Sequence, residues 1–189
     1  MKTILSTLFL VAITQYCLAQ NWKSDPQHSR LGFKTTHMRI SEIHGIFKDF
    51  EIKIIAGNTD FSDADIELTA EVGSIDTEVG ARDNHLKSPD FFDVEKYPEM
   101  RFNSTSVKEI GKYKYAVTGD LTLRNITKQV TVVMIYNGTL VNPNTHKRTA
   151  GFQVTGKIKR SDFNVGTAIP NDIVGDEVFI IADTELQFQ

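Results

Sequence analysis

The side chains able to do chemistry are few and dispersed. Histidines stand at 28, 37, 44, 85 and 146. His28, His37 and His44 fall in the first two expected strands, where imidazoles could gather around a transition metal or a haem iron. No His-x-His or His-x-x-x-His spacing supports a metal site, so ordinary hydrogen bonds near strand ends are the competing account. Arg82-Asp83-Asn84-His85 is the densest charged cluster. With Ser74 or Ser88 nearby, Asp83 and His85 could serve a lipid-modifying hydrolase or isomerase. However, no Gly-x-Ser-x-Gly elbow presents a nucleophile, and residues two apart on a helix do not face each other. In the structural alternative, Asp83 offsets a helix dipole and Arg82 pairs with a carboxylate elsewhere. Arg160-Ser161-Asp162-Phe163 reads as a turn in which Asp162 accepts local amides, or else as a holder for a ligand's polar head. Asp25-Pro26-Gln27-His28-Ser29 has turn residues and could lock the N-terminus to the rest of the fold. There is no phosphate-cradling glycine loop and no dinucleotide fingerprint.

The elements that must position these groups are bounded first by composition. The chain has 189 residues, 21 basic against 24 acidic, for a formal net charge of −3. Phosphate-driven nucleic-acid binding is therefore not expected. Hydrophobic residues make up 40% and charged residues 24%, which fits a folded globular chain and not a disordered one. Residues 1–19 have the form of a secretory signal peptide. Lys2 is followed by the apolar run Ile4 to Ile13, and Cys17 and Ala19 put small residues before a cut at Gln20. Bulky Tyr16 argues against lipidation of Cys17. The apolar run is too short for a stable membrane span. Cleavage removes the only cysteine, so the exported chain has no thiol for a disulfide, a metal or catalysis. A periplasmic or secreted location follows, with residues 20–189 as a single domain.

Period two dominates that domain. Asp65-Ile66-Glu67-Leu68-Thr69-Ala70-Glu71-Val72 alternates without a miss. The stretches 50–54, 113–118 and 152–159 do the same. Near the end Val178, Ile180, Ala182 and Leu186 share one parity with Phe179 and Ile181 opposite, which reads as a strand buried on both faces. Ala56-Gly57-Asn58, Glu109-Ile110-Gly111, Asn137-Gly138 and Asn142-Pro143-Asn144-Thr145 are turn or loop signals. Gly80 to Lys87 reads as a helix, with Ser88-Pro89-Asp90 ending it. About eight strands with short loops predict an all-β antiparallel sandwich or barrel carrying a helical insert around residues 80–95.

Closing such a sheet removes its exposed edges. At about eight strands the interior is either filled or left open to one small ligand. Twelve phenylalanines against one tryptophan and five tyrosines supply large apolar area with no hydrogen-bonding demand. They could fill a core or line a tunnel. Phe91-Phe92 stands out, because two adjacent rings in a helical insert do not easily face one core.

Taken in order, several motifs carry a resemblance. Trp22, Asp25-Pro26-x-His28-Ser29, Gly45-x-Phe47 and Ser74-Ile75-x-Thr77 open the series. Arg82-Asp83-x-His85-Leu86-Lys87-Ser88-x-x-Phe91-Phe92-Asp93 and Tyr97-Pro98 follow. Thr118-Gly119-Asp120-Leu121-Thr122-Leu123, Thr127-Lys128, Arg160-Ser161-Asp162-Phe163 and Asp176-Glu177-Val178 complete it. The set resembles the YceI-like family of exported proteins. The resemblance implies an eight-stranded, lipocalin-like antiparallel barrel that binds a polyisoprenoid or similar long amphiphile. It departs from the family at Asn125, where a glycine is usual. Asn tolerates left-handed backbone angles, so the same turn is expected.

The function this implies is sequestration or carriage of a polyisoprenoid quinone or other prenyl lipid, with no other cofactor and no catalytic residue. Phe33, Phe47, Phe50, Ile75, Phe91, Phe92, Phe102, Leu121 and Phe152 are the candidate apolar lining. His37, Arg82, His85 and Arg160 are candidates for the polar head. A homodimer is left open.

Overall fold

The computed structural model describes residues 19–189. The expected signal peptide, apart from Ala19, lies outside the described residues. The strands are β1 (Gln20–Ser24), β2 (Arg30–His37), β3 (Ser41–Phe47), β4 (Phe50–Ala56), β5 (Asp65–Glu71) and β6 (Ile75–Asp76), then β7 (Glu99–Gly111), β8 (Lys114–Leu123), β9 (Ile126–Val141), β10 (Arg148–Lys159) and β11 (Val174–Phe188). The one α-helix among the described residues, α1 (Gly80–Lys87), lies in the insert between β6 and β7, as its lack of β-branched residues predicts. All strand pairs are antiparallel.

Eleven strands form eight staves. β11 faces β2 through residues 174–183 and β1 through residues 186–188, so β1 and β2 are one stave broken by a turn. β3 and β4 pair with β2 and β1 in the same way. β6 and β5 pair with β3 and β4 across the 3-10 turn Val72–Ser74. The remaining staves are β7, β8, β9, β10 and β11, and the β1–β11 pairing closes the barrel. The expected eight-stranded lipocalin-like barrel is the fold.

Alternation follows the residue types. Tyr115, Val117, Leu121 and Leu123 of β8 are buried, and their polar neighbours Thr118, Asp120 and Thr122 lie on the other face. β11 departs from expectation. Its outward Phe179 is not in a second core but lies beneath the ammonium groups of Lys34 and Lys157, 5.5 and 6.0 Å from the ring centre. Two turn signals are also displaced. Asn137-Gly138 sits inside β9, next to the register shift between Gly151 and Phe152, and the hairpin turns later. There the Asn142 carboxamide oxygen accepts the amides of Asn144 and Thr145. Glu109-Ile110-Gly111 ends β7, and Tyr113 at φ 57° carries the turn. Arg124 and Asn125 take φ 49° and 59°, so the left-handed turn survives without glycine.

The two ends of the barrel close differently. At one end the loop 57–64 drives Phe61 inward at φ 63°, an uncommon angle for a bulky side chain. Asp63 accepts the amides of Gly57 and Asn58, and the Tyr115 hydroxyl donates to the Asp60 carbonyl at 2.7 Å. Phe61 meets Trp22, Tyr136 and Phe152 with ring centres 5.3, 5.0 and 4.9 Å apart. This ring cluster plugs that end. The other end carries the insert 77–98 and the β10–β11 loop.

The turn Asp25–Ser29 locks β1 and β2 onto β11, as its residues suggest. The Asp25 amide and the Ser29 hydroxyl donate to the Glu185 carbonyl at 2.8 and 3.1 Å. The Glu185 amide returns a bond to the Ser29 oxygen, and the Gln187 side-chain amide donates to Asp25 Oδ2. Asp25 Oδ2 also lies 2.9 Å from His28 Nδ1. Each partner stabilises the other's charge, so the His28 pKa is raised and the Asp25 pKa lowered. A raised histidine pKa contributes stability below the unfolded value of about 6.5, which is lost as pH rises through the folded value. The depressed Asp25 contribution is lost as pH falls through its folded value, below the ordinary 3.8. Thermal unfolding of His28→Asn and the unsubstituted protein should therefore differ most between about pH 4 and 6.5 and converge above pH 8. A gap that stays constant across this range would show that the pair carries no charge linkage.

Candidate functional site: an apolar cavity in the barrel

The eight staves enclose a cavity of about 180 Å³. Its wall is aliphatic and aromatic, with Thr184 and Arg160 the only polar side chains on it. Along β11 the lining runs from Val178 to Leu186. At about 3.4 Å per residue this is roughly 27 Å along the strand. A tilt of about 40° makes it roughly 20 Å along the barrel axis. The barrel centre is therefore not packed solid, and the space has the proportions of a tube.

Six of the nine expected lining residues face this space: Phe33, Phe47, Phe92, Phe102, Leu121 and Phe152. Three do not. Phe91 and Phe92 leave the turn in opposite directions, so only one ring can enter. Phe92 reaches the cavity, its ring centre 6.1 Å from that of Phe47. Phe91 packs away from it, edge-on to His85 at 5.0 Å, and its carbonyl accepts Arg124 Nη1. Ile75 is buried in the core cluster beneath the insert. Phe50 sits at the kink between β3 and β4, where its half-buried ring packs against both core clusters.

Sequence reasoning followed the rings and missed the aliphatic wall: Val130, Val132, Val154, Ile158, Val178 and Ile180. The signal was present for Val154 and Ile158, which share the parity of Phe152 in β10, whereas β9 and β11 held no expected lining residue to set theirs. Parity alone, however, does not separate a lining side chain from a packed one.

The polar candidates divide in the same way. Arg160 lies on the cavity wall at its insert end and is 5% exposed. Its Nε donates to the Gly175 carbonyl and its Nη1 to those of Val165 and Gly166. Nη2 serves the carbonyls of Ile169 and Val174 and the Asn171 carboxamide oxygen. Every guanidinium nitrogen is thus committed to the β10–β11 loop, and burial lowers the pKa of the group. Residues 160–163 do form a turn. Its amide acceptor is Asp176, which takes both the Ser161 amide and hydroxyl, and not the expected Asp162.

Arg82 finds no carboxylate. Its Nε donates to Thr77 Oγ1 at 2.7 Å and its Nη2 to the Thr77 carbonyl at 2.6 Å. Asp83 Oδ1 accepts the Thr77 amide and hydroxyl, so this cluster fastens the start of α1 to β6. His85 lies on the exposed side of α1, 3.3 Å from Asp90. The Ser88 and Ser74 hydroxyls donate to the His85 and Glu71 backbone carbonyls. No serine, histidine and aspartate therefore form a relay here. His37 is half-buried at the end of β2, opposite Ser41 and past the cavity.

His28, His37 and His44 are not brought together. His28 precedes β2, His37 ends it, and His44 pairs across from Lys34 and lies beside Glu42 at 3.7 Å. The donor atoms of Asp25, His28 and Glu185 do lie within 4.8 Å of one another. Asp25 Oδ2 already has His28 and Gln187 as hydrogen-bond partners, which fits a lock better than a metal centre.

Arg160→Met should lower stability by about 3–5 kcal/mol, because the acceptors of the β10–β11 loop lose their shared cation. Arg160→Lys should recover only part of this, since an ammonium cannot span the same fork of carbonyls. Equilibrium unfolding in denaturant measures both, and a loss under 1 kcal/mol for the methionine variant would mean the loop is held by something else.

Comparison with known proteins places this geometry. The family model of the YceI-like domain matches residues 22–186. A UPF0312 protein (plu2095) of Photorhabdus laumondii is 42% identical over 149 residues, covering 78% of this chain and 77% of its own. The crystal structure of Burkholderia cenocepacia BcnA superposes with a TM-score of 0.78 at 27% identity, covering 86% of this chain and 98% of that one. A polyisoprenoid binding domain from Saccharophagus degradans, implicated in plant cell wall breakdown, shares the fold with a TM-score of 0.65 at 12% identity. It covers 89% of this chain and 98% of that one. With matching motifs, matching barrel and a family match over nearly all of the described residues, the chain belongs to the YceI-like family.

Proposed function

We propose that this protein is an exported binding protein that takes the tail of a polyisoprenoid or similar long-chain amphiphile into the barrel. The observation that carries this reading is the cavity itself, a tube with an almost wholly apolar wall whose one charged side chain, Arg160, is committed to the β10–β11 loop. Such a space has no use for a polar substrate, which would lose its water without gaining partners. It suits hydrocarbon. Each buried methylene is worth about 0.8 kcal/mol. Binding costs of about 4–15 kcal/mol must first be met. Some ten buried carbons only offset the middle of that range, so a long tail is required. The fold shared with a polyisoprenoid binding domain supports the same ligand class.

The ring plug at Phe61 leaves the insert end as the way in. The tail enters past Phe92 and the head stays outside, near the exposed polar groups of α1 and the β2–β3 hairpin. His37, Arg82 and His85 lie at that end and serve as head contacts only through residual hydrogen-bonding capacity. An apolar leader of the form of residues 1–19 fits a periplasmic or secreted location for such a protein.

Organic extraction and native mass spectrometry of protein purified from the exported fraction of its own host test this. One long-chain isoprenoid or comparable amphiphile per barrel is expected, with no stoichiometric metal. Protein that arrives empty and fails to bind a long polyprenol on reconstitution would end the proposal.

A further inference from the structure

Inward-facing positions of a lined barrel should carry side chains, yet three of them carry none. Gly45 of β3 shares the parity of Phe47, Gly119 of β8 that of Val117 and Leu121, and Gly156 of β10 that of Val154 and Ile158. At each one, a side chain from a neighbouring strand lies across the bare backbone. A Cβ at Gly45 would stand 2.4 and 2.6 Å from Cζ and Cε1 of Phe33. At Gly119 it would stand 2.4 and 2.7 Å from Cζ and Cε2 of Phe102 and 2.4 Å from the Asn103 carbonyl. At Gly156 it would stand 2.6 Å from Cγ1 of Val132. Phe33, Phe102 and Val132 all line the cavity.

Carbon atoms rest about 3.5–4.0 Å apart. A methyl at Gly45 or Gly156 would therefore push the neighbouring side chain away by about 1 Å, and the lumen is the open direction; at Gly119 it would also meet the backbone of the paired strand β7. We propose that Gly45, Gly119 and Gly156 set the bore of the tube by letting Phe33, Phe102 and Val132 lie back against its wall, and so determine which hydrocarbon tails the barrel accepts. This rests on the tail-binding reading above. Register links two of the seats, since Gly156 faces Ile180, Ile180 faces Phe33 and Phe33 faces Gly45. Gly156 lies near the insert-side end of β10, and Gly119 in the middle of β8. A change at Gly45 or Gly156 therefore narrows the same stretch of the tube, which every tail entering from the insert end must pass.

The test measures affinities of the purified full-length exported protein for a ladder of polyprenols of increasing length. Gly45→Ala and Gly156→Ala should each lower the affinity for every binding member by about tenfold, the equivalent of roughly two displaced methylenes. Phe102→Leu, which keeps Gly119 and removes the ring, should strengthen binding of the longest members, and it decides the matter if either glycine variant fails to fold. Gly80→Ala is the control, since a Cβ there meets nothing within 4 Å. If the unsubstituted protein binds the ladder and the folded variants reproduce its affinities, the glycine seats do not set the bore. If the unsubstituted protein binds no polyprenol at all, the tail-binding reading fails first and takes this inference with it.

Discussion

Closure of the sheet is the constraint on which everything else depends, and it rests on three register pairs. Trp22 faces Phe188, Lys23 faces Gln187 and Ser24 faces Leu186. Without them β1 would present an unpaired edge and the last residues of β11, beyond its pairing with β2, would lose their partner on that side, so the barrel would stand open along this seam. The short contact is reinforced on both sides. Trp22 and Phe188 meet edge to face at 5.5 Å, with the Arg148 guanidinium 5.2 and 5.0 Å from their ring centres. Immediately beyond, the Asp25–Ser29 turn ties the stave to Glu185 and Gln187 of the same strand. A break in the stave at that point interrupts the ladder beside the seam. In its place, the turn supplies the side chains that fasten it.

A closed barrel of eight staves has more interior than a minimal core fills. Here the surplus is distributed unevenly. The two core clusters occupy opposite ends, one around Trp22, Phe61 and Tyr115 and the other around Phe163, Val72 and Leu121. Both clusters reach the cavity wall, through Ile54, Val117 and Phe152 of the first and Phe47, Leu121 and Ala182 of the second. The same side chains that build the core therefore line the void. That arrangement lets a single-domain chain hold a cavity without a disulfide to brace it.

The strands and the helix were legible in the sequence because each rests on a local pattern: period two along the staves, and an eight-residue segment without β-branched residues for α1. That pattern left sandwich and barrel open, and closure came with the family resemblance. Of the six expected lining residues that face the cavity, Phe33, Phe47, Phe102, Leu121 and Phe152 lie on strands with apolar alternation, while Phe92 in the insert was marked by its ring alone. Phe91 marks the limit of residue type. Its type and neighbours match those of Phe92, and only the direction in which the turn leaves the helix separates a lining ring from a packed one. Arg160 shows a different limit. A charged residue beside a presumed ligand site suggests a head-group contact, but the carbonyls that consume its donors come from residues 165–175, and no residue-type signal marks backbone groups. The glycines were invisible for a related reason. A missing side chain reads as a turn or a weak strand until the ring that occupies its place is known.

The contrast between the two ends gives the barrel a direction. At the plugged end Trp22, Phe61 and Phe152 meet ring against ring, and opening that contact would expose apolar area to water. At the insert end the β10–β11 loop is held by a cation shared among carbonyls, and α1 is fastened through Thr77 by Arg82 and Asp83. Such polar lattices hold the loop and the insert at their anchors but leave Phe92, half-buried and in contact with the Phe47 ring, as the apolar element between cavity and solvent. Moving that one ring exposes far less apolar surface than dismantling the plug. For the binding proposed above, the physics of the walls therefore favours the insert end as the point of entry, whatever the ligand's head group.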